Sequence, residues 1–139
     1  MIPDGVTSIG HAAFHGCTSL TSVEIPNSVT HIEDNVFSDC PSLTSMVVAP
    51  NNPKYDSRDN CNAIIESESN TLIAGCPNTT IPNSVTSIGY GAFGYCSSLT
   101  SVVIPNSVTS IGDHAFFTCK NLISMVIPNS VTRIGNSAF

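Results

Sequence analysis

The feature that most constrains this chain is a repeat. Segment 81–103 reads IPNSVTSIGYGAFGYCSSLTSVV and segment 104–126 reads IPNSVTSIGDHAFFTCKNLISMV, and the two align without a gap at a period of 23 residues. Segments 2–24 and 25–47 follow the same template, 127–139 is its first half, and 48–80 is a longer unit. A unit this short cannot bury its own apolar side, so it must stack on its neighbours and share one core with them. The expected fold is mainly β: one solenoid domain over residues 1–139, with about five to six coils of short parallel strands, short helical or 3-10 turns and one inserted β-hairpin.

Each apolar column has a physical use. The pattern L-x-x-V-x-I recurs as Leu20, Val23, Ile25, then Leu43, Met46, Val48, then Leu99, Val102, Ile104, then Leu122, Met125, Ile127. Its alternating end predicts a short strand with one buried face. A second pair, Val6 and Ile9, recurs at Val29 and Ile32, Val85 and Ile88, Val108 and Ile111, and Val131 and Ile134, and predicts another extended stretch on a different side of the coil. Between them lies G-x-x-A-F-x-x-C, with Phe14, Phe37, Phe93 and Phe116 three residues ahead of Cys17, Cys40, Cys96 and Cys119. That spacing suits one helical turn whose ring fills the coil interior. Proline after the strand, as at Pro26, ends it. The turn column Asp4, Asn27, Asn83, Asn106 and Asn129 is expected to bond backbone from coil to coil.

Register breaks between Val48 and Ile81, 33 residues apart instead of 23. The insert opens with a Pro- and Asn-rich turn and continues as CNAIIESESNTLIAGC, a hairpin pattern with strands over 62–66 and 71–75. Counting back from that loop sets Cys61 opposite Cys76. Two outcomes are open: a cross-strand disulfide in an oxidising compartment, or two buried thiols.

Composition narrows the function. Ten acidic residues against four Lys plus Arg give a net charge of −6, with no basic cluster to neutralise phosphates, so nucleic acid is not an expected partner. Apolar residues are too scattered for membrane insertion, and MIPDGVTSIG supplies no secretory signal. The cysteine column stands in single file one coil apart and reads as small interior hydrophobes, not as a metal site. His11 and His15 lack the Glu of H-E-x-x-H and read as surface histidines; Asp56, Asp59 and Asn60 lack the Gly and Glu of a calcium loop. No cofactor, metal or catalytic set is expected.

The outward positions of L-x-x-V-x-I carry the most functional information. They give the columns Thr21, Thr44, Thr100, Ile123; Ser22, Ser45, Ser101, Ser124; and Glu24, Val47, Val103, Val126. Hydroxyls beside a valine stripe make a flat contact surface, and Ser22, Glu24, Ser45, Val47, Ser101, Val103, Ser124 and Val126 form the candidate binding face. The competing reading is β-propensity preserved by repeat duplication.

With IPNSVTSIG, GxxAFxxC and SLTSVxIP in place, the sequence resembles the BspA-like, or Treponema pallidum-type, leucine-rich repeats of bacterial and some protist surface proteins. The insert NNPKYDSRDNCNAIIESESNTLIAGCPNTTIP looks like a long unit of such surface proteins in gut Bacteroides. The resemblance covers essentially the whole chain. It implies a curved leucine-rich-repeat solenoid, generally exported to the cell surface, that adheres to host extracellular-matrix or other cell-surface proteins. It supplies no catalytic residues. Family members are longer and this chain begins and ends inside a repeat without a polar cap, so it reads as a portion of a longer protein, or as a spacer within one, whose uncapped coils can associate end to end.

Overall fold

A computed structural model describes residues 1–139. Ten short strands succeed one another: β1 (Ser8–Ile9), β2 (Ser22–Ile25), β3 (His31–Ile32), β4 (Ser45–Val48), β5 (Tyr55–Asp56), β6 (Ala63–Glu66), β7 (Thr71–Gly75), β8 (Ser87–Ile88), β9 (Ser110–Ile111) and β10 (Arg133–Ile134). Equivalent strands of adjoining coils pair in parallel, Ser8 with His31 and Ile9 with Ile32, Ser87 with Ser110, and Ser110 with Arg133. These partners are the residues one period apart in sequence, so stacking is what the repeat encodes.

The apolar columns become rows. Phe14 stacks on Phe37 at 5.4 Å between ring centroids, Phe93 on Phe116 at 5.0 Å and Phe116 on Phe139 at 5.5 Å, with near-parallel planes. Beside them run Val29, Val85 and Val108, with no exposed surface, and Ile9, Ile88 and Ile111, at most 4% exposed. Each methylene buried there stabilises the stack by about 0.8 kcal/mol.

The ring fills the interior as the sequence suggests, but the turn that carries it is not helical; the only 3-10 turn is Arg58–Asn60 in the insert. Two positions per turn are left-handed instead: Ala12, Asn35, Gly91, His114 and Ser137 in one column, Gly16, Asp39, Tyr95 and Thr118 in the other, all with φ between 49° and 69°. With left-handed residues four apart, every second N–H of the turn points the same way. Ala12, Phe14 and Gly16 donate to the carbonyls of Asp34, Val36 and Ser38 in the following coil, and Gly91, Phe93 and Tyr95 donate to Asp113, Ala115 and Phe117, at 2.7–3.2 Å. Along this side the turns at 12–16, 91–95 and 114–116 all donate to the following coil.

The cysteine column completes the same turns. Cys40 Sγ donates to the Phe14 carbonyl at 3.1 Å and Cys119 Sγ to the Phe93 carbonyl at 3.0 Å. Further side-chain bonds between coils come from threonines and from Ser42, Asn52 and Asn121, not from the expected Asp4, Asn27, Asn83, Asn106 and Asn129, which are exposed. Thr30, Thr109 and Thr132 each donate to the carbonyl of the threonine one coil earlier, Thr7, Thr86 and Thr109 respectively.

The insert forms the expected antiparallel hairpin, β6 with β7, flanked by β5 and joined to β8. Its register corrects one expectation. Glu66 pairs with Thr71 and Ile65 with Leu72, but a bulge then shifts the ladder so that Ile64 faces Ala74 and Ala63 faces Gly75. The extra residue, Ile73, moves Cys76 beside Asn62, whose carbonyl accepts its thiol at 3.4 Å, and turns Cys61 to the other side. Cys61 joins the core of the C-terminal coils with Ala63, Ile65 and Leu72, whereas Cys76 joins that of the N-terminal coils with Ile64 and Ala74. A one-residue slip sends a side chain to the opposite face. Both are free thiols. Titrating the denatured protein, prepared without reductant, is expected to find all six cysteines reactive; a shortfall of two would restore the bridge.

Candidate functional site

The candidate strand face divides at the insert. In its N-terminal half β2 and β4 pair over their full length, setting Ser22 beside Ser45 and Glu24 beside Val47. Val23, Ile25, Met46 and Val48 point into the core, and Ser22, Glu24 and Val47 point out. The rung that closes this ladder is the Ala49 N–H on the Ile25 carbonyl, at 2.9 Å.

In the C-terminal half the equivalent ladder opens. Pairing is limited to the bridge between Ser101 and Ser124, and no backbone hydrogen bond joins 102–104 to 125–127. Proline accounts for one lost rung: Pro128 stands where Ala49 stands in the earlier coil and has no N–H to give. The result is a broad groove over segments 77–83, 101–106 and 124–129. Val103 and Val126 project from it at 83% and 78% exposure, and Ser101 and Ser124 stand beside them.

The structure therefore groups Ser101, Val103, Ser124 and Val126 on one surface, and Ser22, Glu24, Ser45 and Val47 on another. Ile123, immediately ahead of Ser124, is 88% exposed. The signal for Ile123 was an isoleucine in a column otherwise made of threonine. Three large aliphatic side chains this exposed on neighbouring coils form a contact patch, because isolated exposed residues are ordinary but contiguous ones mark interaction sites.

The remaining reactive groups are occupied or dispersed. Burial pushes the Cys96 thiol up to about 12 and Cys119 up to about 11, and raises Cys40, Cys61 and Cys76 too, which keeps them as neutral thiols instead of nucleophilic thiolates. Burial disfavours a charged Asp56, but bonds from Arg58 and Ser67 outweigh it and hold the carboxyl below its usual range. Arg58 reaches on to Asn70 and Ser84, so Asp56 serves a clasp between insert and following coil and not a calcium loop. His11 and His15 are exposed. No group of three or more His, Cys, Asp or Glu residues is placed to hold a metal ion, and no helix is long and apolar enough to cross a membrane.

Comparison with known proteins agrees with this architecture. The family model for the BspA type leucine rich repeat region matches in six copies, over residues 1–66 and 69–139. A leucine-rich repeat protein from Eubacterium ventriosum superposes with a TM-score of 0.81 at 29% identity, over 96% of this chain and 37% of that one. A leucine rich cell surface protein from Faecalibacterium prausnitzii superposes at 0.77 with 36% identity, over 99% of this chain and 37% of that one. The pneumococcal vaccine antigen PcpA, at 0.74 and 18% identity, shares the fold. No curated protein matches. The chain thus spans little more than a third of the first two structures' length.

Proposed function

Because the chain belongs to the BspA-type leucine-rich repeat family, we propose that it is a non-catalytic protein-binding module of an extracellular or cell-surface protein. Its partner is a host extracellular-matrix protein or another surface protein, and adhesion is its role. The observation that carries this reading is the exposed patch of Val103, Ile123 and Val126 beside Ser101 and Ser124. A solvent-facing aliphatic cluster costs solubility and does nothing for the core behind it, so contact with a partner is the physical use for it.

The test is capture of proteins from solubilised matrix and serum by the immobilised chain, repeated with Val103→Lys and Val126→Lys together. Two lysines at the centre of an apolar contact are expected to weaken a captured partner's binding by about tenfold or more. Equal capture by both forms, with unchanged circular dichroism, moves recognition off this face. A second reading, a spacer within a longer surface protein, draws support from the share of its relatives that the chain spans. It expects no capture by either form, and loss of function in the parent protein when one coil is deleted.

A further inference from the structure

Five of the nine Phe and Tyr rings are spent on the phenylalanine column and one, Tyr55, on the insert core. The other three, Tyr90, Tyr95 and Phe117, all occupy template positions that packing leaves free, and they meet on one surface. Tyr90 packs edge to face on His114 at 5.4 Å, His114 on Phe117 at 5.1 Å, Phe117 on Tyr95 at 5.5 Å and Tyr95 on His15 at 6.0 Å. The strip reaches from the first coil to the fifth because the insert contributes no turn of this kind. Gly91 therefore lies directly against Asn35, and Phe37 and Phe93 line one small cavity.

A further observation sets the strip apart from incidental surface. Carboxylates bracket the rings. Asp34 and Asp113 are the neighbours of Tyr90 in its column, and Asp39 is the neighbour of Tyr95 in its own. An edge-to-face contact covers one face of one ring only, and Tyr90 and Tyr95 remain 42% and 41% exposed. Lys120, just past the strip's last turn, is the one permanent cation in the adjoining sequence, and His15 and His114 are the strip's own titratable bases.

We propose that this aromatic strip is a second binding site, which takes arginine and lysine side chains of an extended basic protein segment. Ring faces attract cations through their quadrupole, and flanking carboxylates on a chain of net charge −6 supply the complementary field. A second copy of the chain, carrying the same charge, is repelled. The site lies on the turn side, away from the valine patch, so it stands whether or not that patch binds.

The experiment is calorimetric titration of the whole chain with a short oligoarginine peptide, at about pH 7.5, above the ordinary imidazole range. The variant is Tyr90→Asn, Tyr95→Thr and Phe117→Ser together. Each is the residue that another coil carries at the same position, and net charge is unchanged. Three lost ring contacts are expected to weaken binding by about tenfold or more, and Asp34→Asn with Asp39→Asn is expected to weaken it further and flatten its salt dependence. Matrix capture through the strand face should be the same for the triple variant and the parent, so the two sites fail separately. Parent-like affinity in the folded triple variant reduces the interaction to diffuse charge and overturns the proposal. So does absence of peptide binding to the parent, including the case where a neutral oligosaccharide binds the strip instead.

Discussion

Phe116→Ala is expected to destabilise the fold by about 3–5 kcal/mol. Phe116 is 1% exposed and lies between Phe93 and Phe139, stacked on both. Truncation removes the ring's transfer energy and leaves a hollow that Phe93, buried and held by its own turn, cannot close. The turns are tied in turn by Phe93 N–H on the Ala115 carbonyl and Phe116 N–H on Ala138. Neighbour coupling is the main source of stability in a solenoid, so the unfolding transition should also broaden as the last coils separate from the rest. Phe14→Ala is the control: Phe14 is half-buried with one stacking partner, Phe37, and should cost clearly less. Equal losses for the two in urea denaturation would show that the stack does not act as a row.

Gly75→Ala comes next, at about 2–3 kcal/mol, through overpacking instead of a void. A methyl group at Gly75 would stand 2.5 Å from Cζ of Phe93 and closer still to Cε1. Phe93 is buried and stacked on Phe116, so its retreat is limited to the small cavity it shares with Phe37. The strain falls where β7 meets the next coil, at the bond from Gly75 N–H to the Ala92 carbonyl. Hydrogen exchange should accordingly accelerate at 75 and 92–96 before it does in β2 and β4. Pairing Gly75→Ala with Phe93→Leu should recover part of the loss, the coupling expected of residues in contact. Gly10→Ala, with nothing within 4 Å of the new carbon, should change stability by no more than about 0.5 kcal/mol. A Gly75→Ala protein as stable as the parent would mean that the hairpin does not pack as described.

Much of this architecture was legible because stacking turns sequence period into spatial register. The valine, isoleucine and phenylalanine columns could be assigned to the interior without coordinates, and so could the hairpin at 62–75. What escaped was local. The A-F-x-x-C spacing fits a helical turn and a turn with two left-handed residues equally well, and only backbone angles distinguish them. The bulge at Ile73 has no glycine or proline to announce it, and it alone sends Cys61 and Cys76 apart. The opening of the strand face was half visible, since proline follows Ile104 and Ile127 where alanine follows Val48. The aromatic strip was hidden because its rings lie at unrelated template positions of adjoining coils, and its reach to His15 depends on the insert contributing no turn.

The forward-donating turns have a consequence for how such a chain can be lengthened or cut. Because the turn side of a coil offers amides to its successor while the strand sides offer amides to its predecessor, a segment spliced in at any other heading would set like dipole against like. In-frame gain or loss of whole units preserves the match at both new seams. Reversed insertion breaks it at once, and a unit of another length, such as the one over 48–80, must fold its extra chain on itself as the β6–β7 hairpin does.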